Sequence, residues 1–378
     1  MAIRNITVLG SGTMGHGIAQ VSATAGYNII LRDIKQEFLD SAMGKIKWSL
    51  DKMTDKKRIT ESEAEDILSR IKPELDLAKA VEKADLIIEA VPEIMDLKRK
   101  VYGELNAVAP SGTIFASNTS TLPITEVAGT TTRPDRFIGI HFFNPPQLMR
   151  LVEIIPGKKT APDVVDATGK YVKSLRKEPV MCRRDVPGFI VNRLFIPLAH
   201  EACHVMDRRG YKIEEIDSVA KFRLGFPMGI LELSDFTGMD VMHKATVEMH
   251  SRDKRSIHPH PRIEQLFNSG KLGKKSGEGF YSYSKENYER IPLSEELAER
   301  VDLVPLVAGL INNAAWMVTN GVSTIDEIEL AARLGLGLKI PLFETASKIG
   351  MSDIINELQR LARSEGEFYT PDPLLGTM

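Results

Sequence analysis

Three groups of residues in this chain have the types and spacing to do chemistry. The first is Gly10-Ser11-Gly12-Thr13-Met14-Gly15, which follows the apolar run Ile6-Thr7-Val8-Leu9 and opens a helical pattern through Ile18, Ala19, Val21 and Ala25. Gly10 permits a tight turn, Gly12 lets a pyrophosphate approach the backbone, and Gly15 lets helix and strand pack closely. The first N–H groups of the helix and its dipole then stabilise phosphate charge. A second β-rich run, Asn28 to Arg32, ends at Asp33. That carboxylate can accept hydrogen bonds from both adenosine ribose hydroxyls and would repel a 2′-phosphate, which favours NAD over NADP. Arg32 beside it pulls the other way. A bare glycine turn is the competing explanation, but strand, glycines, helix, second strand and terminal acid arrive in the order a dinucleotide site requires.

The second group lies at the ends of later strand-like runs, Ala84 to Ala90, Thr113 to Ser117 and Arg136 to His141. These ends carry Glu93, Ser117-Asn118-Thr119-Ser120 and His141. Polar and titratable groups at successive strand ends suit an active-site rim, because ligands of open α/β sheets gather there. The third group, His200-Glu201-Ala202-Cys203-His204, spells a zinc-protease signature with two histidines on one helix face. A catalytic zinc needs a third protein ligand, and no H-x-x-G-x-x-H extension follows. No metal is expected here.

Strands alternating with helical stretches predict a mostly parallel, doubly wound sheet for the first half of the chain. The charge-rich segment from Asp51 to Glu74 reads as exposed helices. From about Asp185 apolar residues recur every three and four positions, which predicts helices, and Pro187-Gly188 marks the boundary. The 378 residues carry 49 basic and 51 acidic side chains, so no basic field for nucleic acid exists. Two cysteines, Cys182 and Cys203, cannot build a disulfide framework and suit a reducing interior. No apolar run reaches the roughly 20 residues of a membrane helix. A β-like run starts almost at Met1 without a cleavage site. These features lead us to expect a soluble, cytoplasmic protein.

The motifs together resemble the L-3-hydroxyacyl-CoA dehydrogenases, particularly the short-chain 3-hydroxybutyryl-CoA type. The resemblance rests on the glycine turn, Ala84-Asp-Leu-Ile-Ile-Glu-Ala90, Phe115-Ala-Ser-Asn-Thr-Ser120, His141-Phe-Phe-Asn-Pro145, Leu151-Val-Glu153, Pro187-Gly-Phe-Ile-Val-Asn-Arg193 and Gly273-Lys-Lys-Ser-Gly-Glu-Gly-Phe-Tyr281. It implies an α/β N-terminal Rossmann-like doubly wound sheet (1–184) followed by an all-α helical domain (185–284), to which an internal repeat adds a second all-α helical domain (296–378). The implied reaction interconverts an (S)-3-hydroxyacyl-CoA, 3-hydroxybutyryl-CoA above all, and its 3-oxoacyl-CoA with NAD. His141 would be the base and Glu153 its carboxylate partner, with Ser120 and Asn192 against the reacting part of the substrate. Gly10, Gly12, Thr13, Met14, Gly15, Asp33, Glu93, Lys98, Asn144 and Lys275 would hold the cofactor. Ser49 and Lys56 would meet coenzyme A. A histidine that titrates near neutrality can take a hydroxyl proton and return it in reverse, and a carboxylate on its other nitrogen fixes the tautomer. Ser120 and Asn192 can donate to the oxygen that becomes a carbonyl.

Ile94 and Thr121 depart from the family's asparagine and serine, and Arg183-Arg184-Asp185 is one residue longer than the pattern. These departures bear on substrate range and local geometry, not on the reaction. A dehydrogenase of a free hydroxy acid or sugar acid, and a non-catalytic NAD-binding protein, are the competing readings. The joint presence of Ser120, His141, Glu153 and Asn192 argues against the latter.

The second half repeats itself. At a shift of 112 residues Ile213, Glu215, Ile216, Ala220, Leu224 and Gly225 meet Ile325, Glu327, Ile328, Ala332, Leu336 and Gly337. The same shift takes Glu232, Gly238, Met239, Pro259 and Pro261 to Glu344, Gly350, Met351, Pro371 and Pro373. The copy lacks the chemistry, since Asn192 falls on Val304. Ile311, Trp316, Leu330, Leu334 and Phe343 give it apolar faces that a lone small domain would expose. The expectation is an internal pseudo-dimer of helical domains in a monomer or weak homodimer, joined by a solvated connector from Ser284 to Glu299. Fused relatives make association with an enoyl-CoA hydratase conceivable.

Overall fold

The computed structural model describes residues 3–253, 255–283 and 292–378. The chain divides into two compact units, Met1–Asp185 and Val186–Met378.

In the first unit short apolar runs become buried strands and longer amphipathic stretches become helices covering them. In chain order these are β1 (Asn5–Leu9), α1 (Thr13–Thr24), β2 (Asn28–Arg32), α2 (Gln36–Asp55), α3 (Glu61–Ser69), β3 (Ile71–Glu74), α4 (Leu77–Val81), β4 (Leu86–Glu89) and α5 (Met95–Val108). They continue as β5 (Ile114–Ser117), α6 (Ile124–Ala128), β6 (Phe137–Phe142), β7 (Leu151–Pro156), α7 (Pro162–Ser174) and β8 (Glu178–Met181). The eight strands form one sheet in the order β3-β2-β1-β4-β5-β6-β7-β8. All neighbours are parallel except β6 and β7. After β1 the chain builds β2 and β3 on one side, then returns to lay β4 on the other, so the winding direction switches between β1 and β4. That crevice is where such sheets bind ligands.

The segment expected as exposed helices ends differently. Thr60 and Glu63 form a capping box that starts α3, and the chain then enters the edge strand β3. Pro73 sits in that strand, which an edge position tolerates because no neighbour needs the missing N–H.

The second unit is helical: α8 (Val191–Arg209), α9 (Ile213–Phe222), α10 (Ile230–Thr237), α11 (Met239–Arg252), α12 (Pro261–Asn268), α13 (Glu295–Glu299), α14 (Leu303–Thr319), α15 (Ile325–Ala331), α16 (Leu342–Ile349) and α17 (Met351–Glu365). Of the connector, residues 284–291 lie outside the described residues, and α13 occupies its end. The shift of 112 relates side-chain contacts as well as residue types. Gly225 and Gly337 both adopt positive φ, at 75° and 74°. His200 Nδ1 accepts the His260 N–H at 2.9 Å, and Asn312 Oδ1 accepts the Asp372 N–H at 2.7 Å. Asp207 pairs with the His260 ring at 2.9 Å where Thr319 donates to Asp372 at 2.6 Å. Helices α8 and α14, related by the shift, pack against each other. A Cβ on Gly225 would lie 3.0 Å from Lys339, and one on Gly337 would lie 2.9 Å from Pro227, residues related by the same shift. Such reciprocity is what a two-fold interface produces.

The paired positions differ in titration. Burial, joined by the charges of His204, His260, His250 and His258, pushes the His200 imidazole from 6.5 down to about 3. The unfolded chain takes up a proton there at higher pH than the fold does. The stabilisation from the neutral ring is therefore complete above about pH 6.5 and is lost as pH falls toward 3. Exchanging His200 for asparagine, the residue its counterpart Asn312 uses, should remove that dependence. Relative to its value at pH 7, the stability difference between variant and parent should shift in the variant's favour by about 2 kcal/mol at pH 5. Urea titrations at the two pH values measure it, and an unchanged difference would refute it.

Candidate active site

Gly10, at φ +92°, turns the chain out of β1, and a Cβ there would lie 2.7 Å from the Ala90 carbonyl oxygen. A Cβ on Gly15 would sit 1.7 Å from the Gly10 oxygen, so only glycine lets α1 start this close to the turn. A Cβ on Gly12 would meet nothing within 4 Å, which leaves the backbone open to approach. The α1 N-terminus has no side-chain cap and no acid in its first turn, and its first internal bond runs from the His16 N–H to the Gly12 oxygen. Thr13 and Met14 form that first turn. Open backbone, uncapped helix end and missing acid all suit a pyrophosphate. Asp33 follows β2, and its Oδ2 accepts the Ser11 N–H and hydroxyl, each at 2.7 Å, which ties the acid to the glycine turn. The neighbouring Arg32 is held by its Nε–H, which donates to the Leu75 oxygen at 3.2 Å.

Across the switch point, β6 and β7 pair antiparallel with His141 directly opposite Glu153. Both side chains are buried, and His141 Nδ1 lies 2.6 Å from Glu153 Oε2. Phe143 flanks the imidazole, the ring centroids being 4.5 Å apart. An ionised carboxylate here can accept a proton from Nδ1, the arrangement that gives Nε2 the exchangeable lone pair. Asn118 braces the histidine's strand, its Oδ1 accepting the Phe142 N–H at 2.9 Å.

Ser120 is half-buried, and its N–H donates to Glu93 Oε1 at 2.9 Å. Burial works to raise the Glu93 carboxyl. The Lys98 charge and hydrogen bonds from Thr119, Ser120 and Lys98 outweigh burial and hold it below the usual carboxylate range. Lys98, expected among the cofactor contacts, is only 1% exposed. Its ammonium reaches Glu89 at 2.6 Å and Glu93 at 3.2 Å. Asn144 is exposed in the loop after β6. Ser49 on α2 accepts from Gln20 at 2.9 Å, and Gln147 donates to Gln20 at 3.1 Å. That relay connects α2 through α1 to the loop following His141, and the separate motifs gave no sign of it. Lys56 is exposed at the end of α2.

Of the departures in sequence, Ile94 is exposed at the N-cap of α5. The Thr121 N–H donates to Glu93 at 3.2 Å. Asp185 caps α6, accepting the N–H groups of Ile124 at 3.1 Å and Thr125 at 2.7 Å. In the second unit Asn192 is half-buried in the first turn of α8, and Lys275 pairs with Asp240. The His-Glu-x-x-His side chains are engaged within the helical unit. His200 bonds Thr246 and His260, Glu201 pairs with Arg208 and Tyr369, and His204 bonds the His258 oxygen. Among the described residues no three His, Cys, Asp or Glu side chains are grouped to hold a metal ion.

A glycine turn at the switch point, an acid ending β2 and a carboxylate-bound histidine beyond it define a dinucleotide-dependent dehydrogenase with a Rossmann-like domain. Comparison with known proteins resolves the class further. The model of the 3-hydroxyacyl-CoA dehydrogenase NAD-binding domain matches residues 5–186, and that of its C-terminal domain matches residues 188–283 and 305–378. The chain is 41% identical over 288 residues to the mitochondrial hydroxyacyl-coenzyme A dehydrogenase of Rattus norvegicus, covering 74% of this chain and 91% of that one. A probable 3-hydroxybutyryl-CoA dehydrogenase of Bacillus subtilis is 38% identical over 287 residues, covering 76% and 99%. The crystal structure of 3-hydroxybutyryl-CoA dehydrogenase from Escherichia coli superposes with a TM-score of 0.89 at 28% identity, covering 100% of this chain and 98% of that one. The chain belongs to the 3-hydroxyacyl-CoA dehydrogenase family, and it is an NAD-dependent enzyme acting on acyl-CoA substrates. No helix among the described residues is long and apolar enough to cross a membrane.

Proposed function

We propose that this enzyme interconverts (S)-3-hydroxybutyryl-CoA and acetoacetyl-CoA, with the buried His141–Glu153 pair as its acid–base machinery. The observation that carries the mechanism is the 2.6 Å contact between His141 Nδ1 and Glu153 Oε2 on adjacent strands. The short-chain assignment rests on the names of the Bacillus subtilis and Escherichia coli relatives.

Bound NAD supplies the hydride acceptor. His141 takes the hydroxyl proton on Nε2 while Glu153 stabilises the imidazolium through Nδ1, and it returns the proton in the reverse direction. Ser120 and Asn192 donate to the substrate oxygen and orient the reacting carbon. Gly10, Gly12, Thr13, Met14 and Gly15 hold the pyrophosphate, and Asp33 the adenosine ribose. Glu93, Lys98 (paired with Glu93), Asn144 and Lys275 complete the cofactor contacts. Ser49 and Lys56 meet coenzyme A, a role supported by the Ser49–Gln20–Gln147 relay toward the loop after His141. The second helical copy takes the place of a partner subunit, a reading supported by the reciprocal contacts about α8 and α14. The two buried free cysteines suit a reducing compartment.

The deciding experiment measures NADH oxidation with acetoacetyl-CoA, longer 3-oxoacyl-CoA esters and free acetoacetate. The C4 thioester should give the highest kcat/KM and the free acid almost none. Turnover of the free acid at a comparable rate would overturn the coenzyme A assignment, and a maximum at long chains would overturn the short-chain one.

A further inference from the structure

Glu89 closes β4 with a side chain 0% exposed, in a strand otherwise made of Leu86, Ile87 and Ile88. Its carboxylate is fully employed. Oε1 accepts from Lys98 Nζ at 2.6 Å and the Val91 N–H at 2.9 Å, while Oε2 accepts from the Ser117 hydroxyl at 2.7 Å; the Tyr102 hydroxyl stands 3.3 Å from Oε2 and shares its one proton with the Ala116 oxygen at 3.1 Å. Three donors and the neighbouring Tyr102 hydroxyl surround this carboxylate, which offers roughly four acceptor positions.

The partners lead to one place. Ser117 stands opposite Glu89 in the sheet and begins the segment Ser117-Asn118-Thr119-Ser120. Lys98 continues to Glu93 Oε2 at 3.2 Å, and Glu93 Oε1 accepts the N–H groups of Ser120 at 2.9 Å and Thr121 at 3.2 Å. The Glu89 backbone oxygen accepts the Asn118 N–H at 2.8 Å, and Asn118 in turn holds the strand of His141. Glu89 thus reaches this segment by its side chain, by its backbone, and through Lys98 and Glu93.

Stability gives little reason for such a hub, because buried ion pairs often exchange for apolar residues of similar volume at no cost. Its value lies in a single geometry, since a buried network with every member satisfied admits few alternatives. We propose that Glu89 is a positioning residue for the dehydrogenase reaction, fixing Ser120 and the strand end beside His141 from behind through Ser117 and the Lys98–Glu93 pair. This rests on the role proposed above for Ser120 and His141.

Two variants test it, each read by steady-state kinetics and by hydrogen exchange of the peptide covering residues 117–122. Glu89→Gln keeps the shape and removes the charge that holds Lys98. Ser117→Ala leaves the ion pairs intact and decides the matter if the first variant does not fold. In the folded variant kcat for acetoacetyl-CoA reduction should fall about tenfold, within the reach of a sub-ångström displacement. KM should stay within about threefold, because the bulk of the substrate binds elsewhere. Exchange in the 117–122 peptide should accelerate while the β1 and β2 peptides keep the parent's rates. Unchanged exchange, or a kcat within about twofold of the parent, would overturn the role of Glu89. Failure of the unaltered enzyme to reduce acetoacetyl-CoA would instead remove the proposed substrate, while the exchange measurement would still decide whether Glu89 orders the segment.

Discussion

His141→Gln is expected to lower kcat by roughly 10²–10⁴-fold, the range of general acid–base catalysis by a positioned side chain. NADH should still bind with near-parent affinity. Glutamine suits the test because its amide can donate to Glu153, which would otherwise be a buried carboxylate stripped of its partner. Breaking a buried pair in that way costs about 3–5 kcal/mol and would confuse a catalytic loss with unfolding. The amide cannot carry a proton between substrate and solvent, so the chemical step alone should suffer. NADH fluorescence titration and the absorbance assay read the two quantities separately. Turnover near the parent's, in a variant that binds NADH, would take the acid–base role away from His141.

How much of this site is legible in the sequence depends on whether its parts are neighbours along the chain. The unit β1–glycine turn–α1–β2–Asp33 is legible because strand, turn, helix and acid follow one another between Asn5 and Asp33, and each leaves a local mark. Glu153 entered only by resemblance. Its partnership with His141 comes from the one antiparallel pairing in the sheet, and composition does not announce register. The edge strands β3 and β8 escaped because Pro73 and Pro179 interrupt them, and proline reads as a break unless the strand is known to be an edge. The burial of Lys98 left no local mark in the sequence, since a lysine is buried only when acids are waiting for it. One of those acids, Glu89, did carry a signal: a charge inside an apolar run must be paired if that run is buried. The repeat was visible at constant spacing. Its deepest correspondence, His200 with Asn312, was hidden because two different side chains make the same hydrogen bond.

Removing residues 296–378 is expected to leave a chain that dimerises, aggregates or loses much of its thermal stability. Helix α8 is buried nearly all round, including Leu194, Phe195, Ile196, Leu198, Val205 and Met206, and α14 packs along it with Leu306, Leu310, Ile311 and Met317 buried in turn. A helix buried on nearly every side cannot lose its cover cheaply. Each fully buried aliphatic or aromatic side chain returned to water costs about 1.5–3 kcal/mol, so uncovering three or four consumes most of a typical domain stability of about 5–15 kcal/mol. Polar groups lose contacts as well. Arg193, next to Asn192, loses the Trp316 ring that its guanidinium covers at 4.1 Å, and Asn313 no longer donates to its carbonyl at 2.5 Å. Glu201 loses the Tyr369 hydroxyl. The two-fold character of the contact adds a sharper expectation: because α8 and α14 are related copies, a truncated chain that stays folded should pair through α8 with a second molecule. Its activity should then rise with protein concentration as dimers form, whereas the full-length enzyme should show no such dependence. Sedimentation velocity, thermal unfolding and the NADH assay across a concentration series measure these, and a truncated protein that remained monomeric at the parent's Tm would remove the second copy from any part in holding the first together.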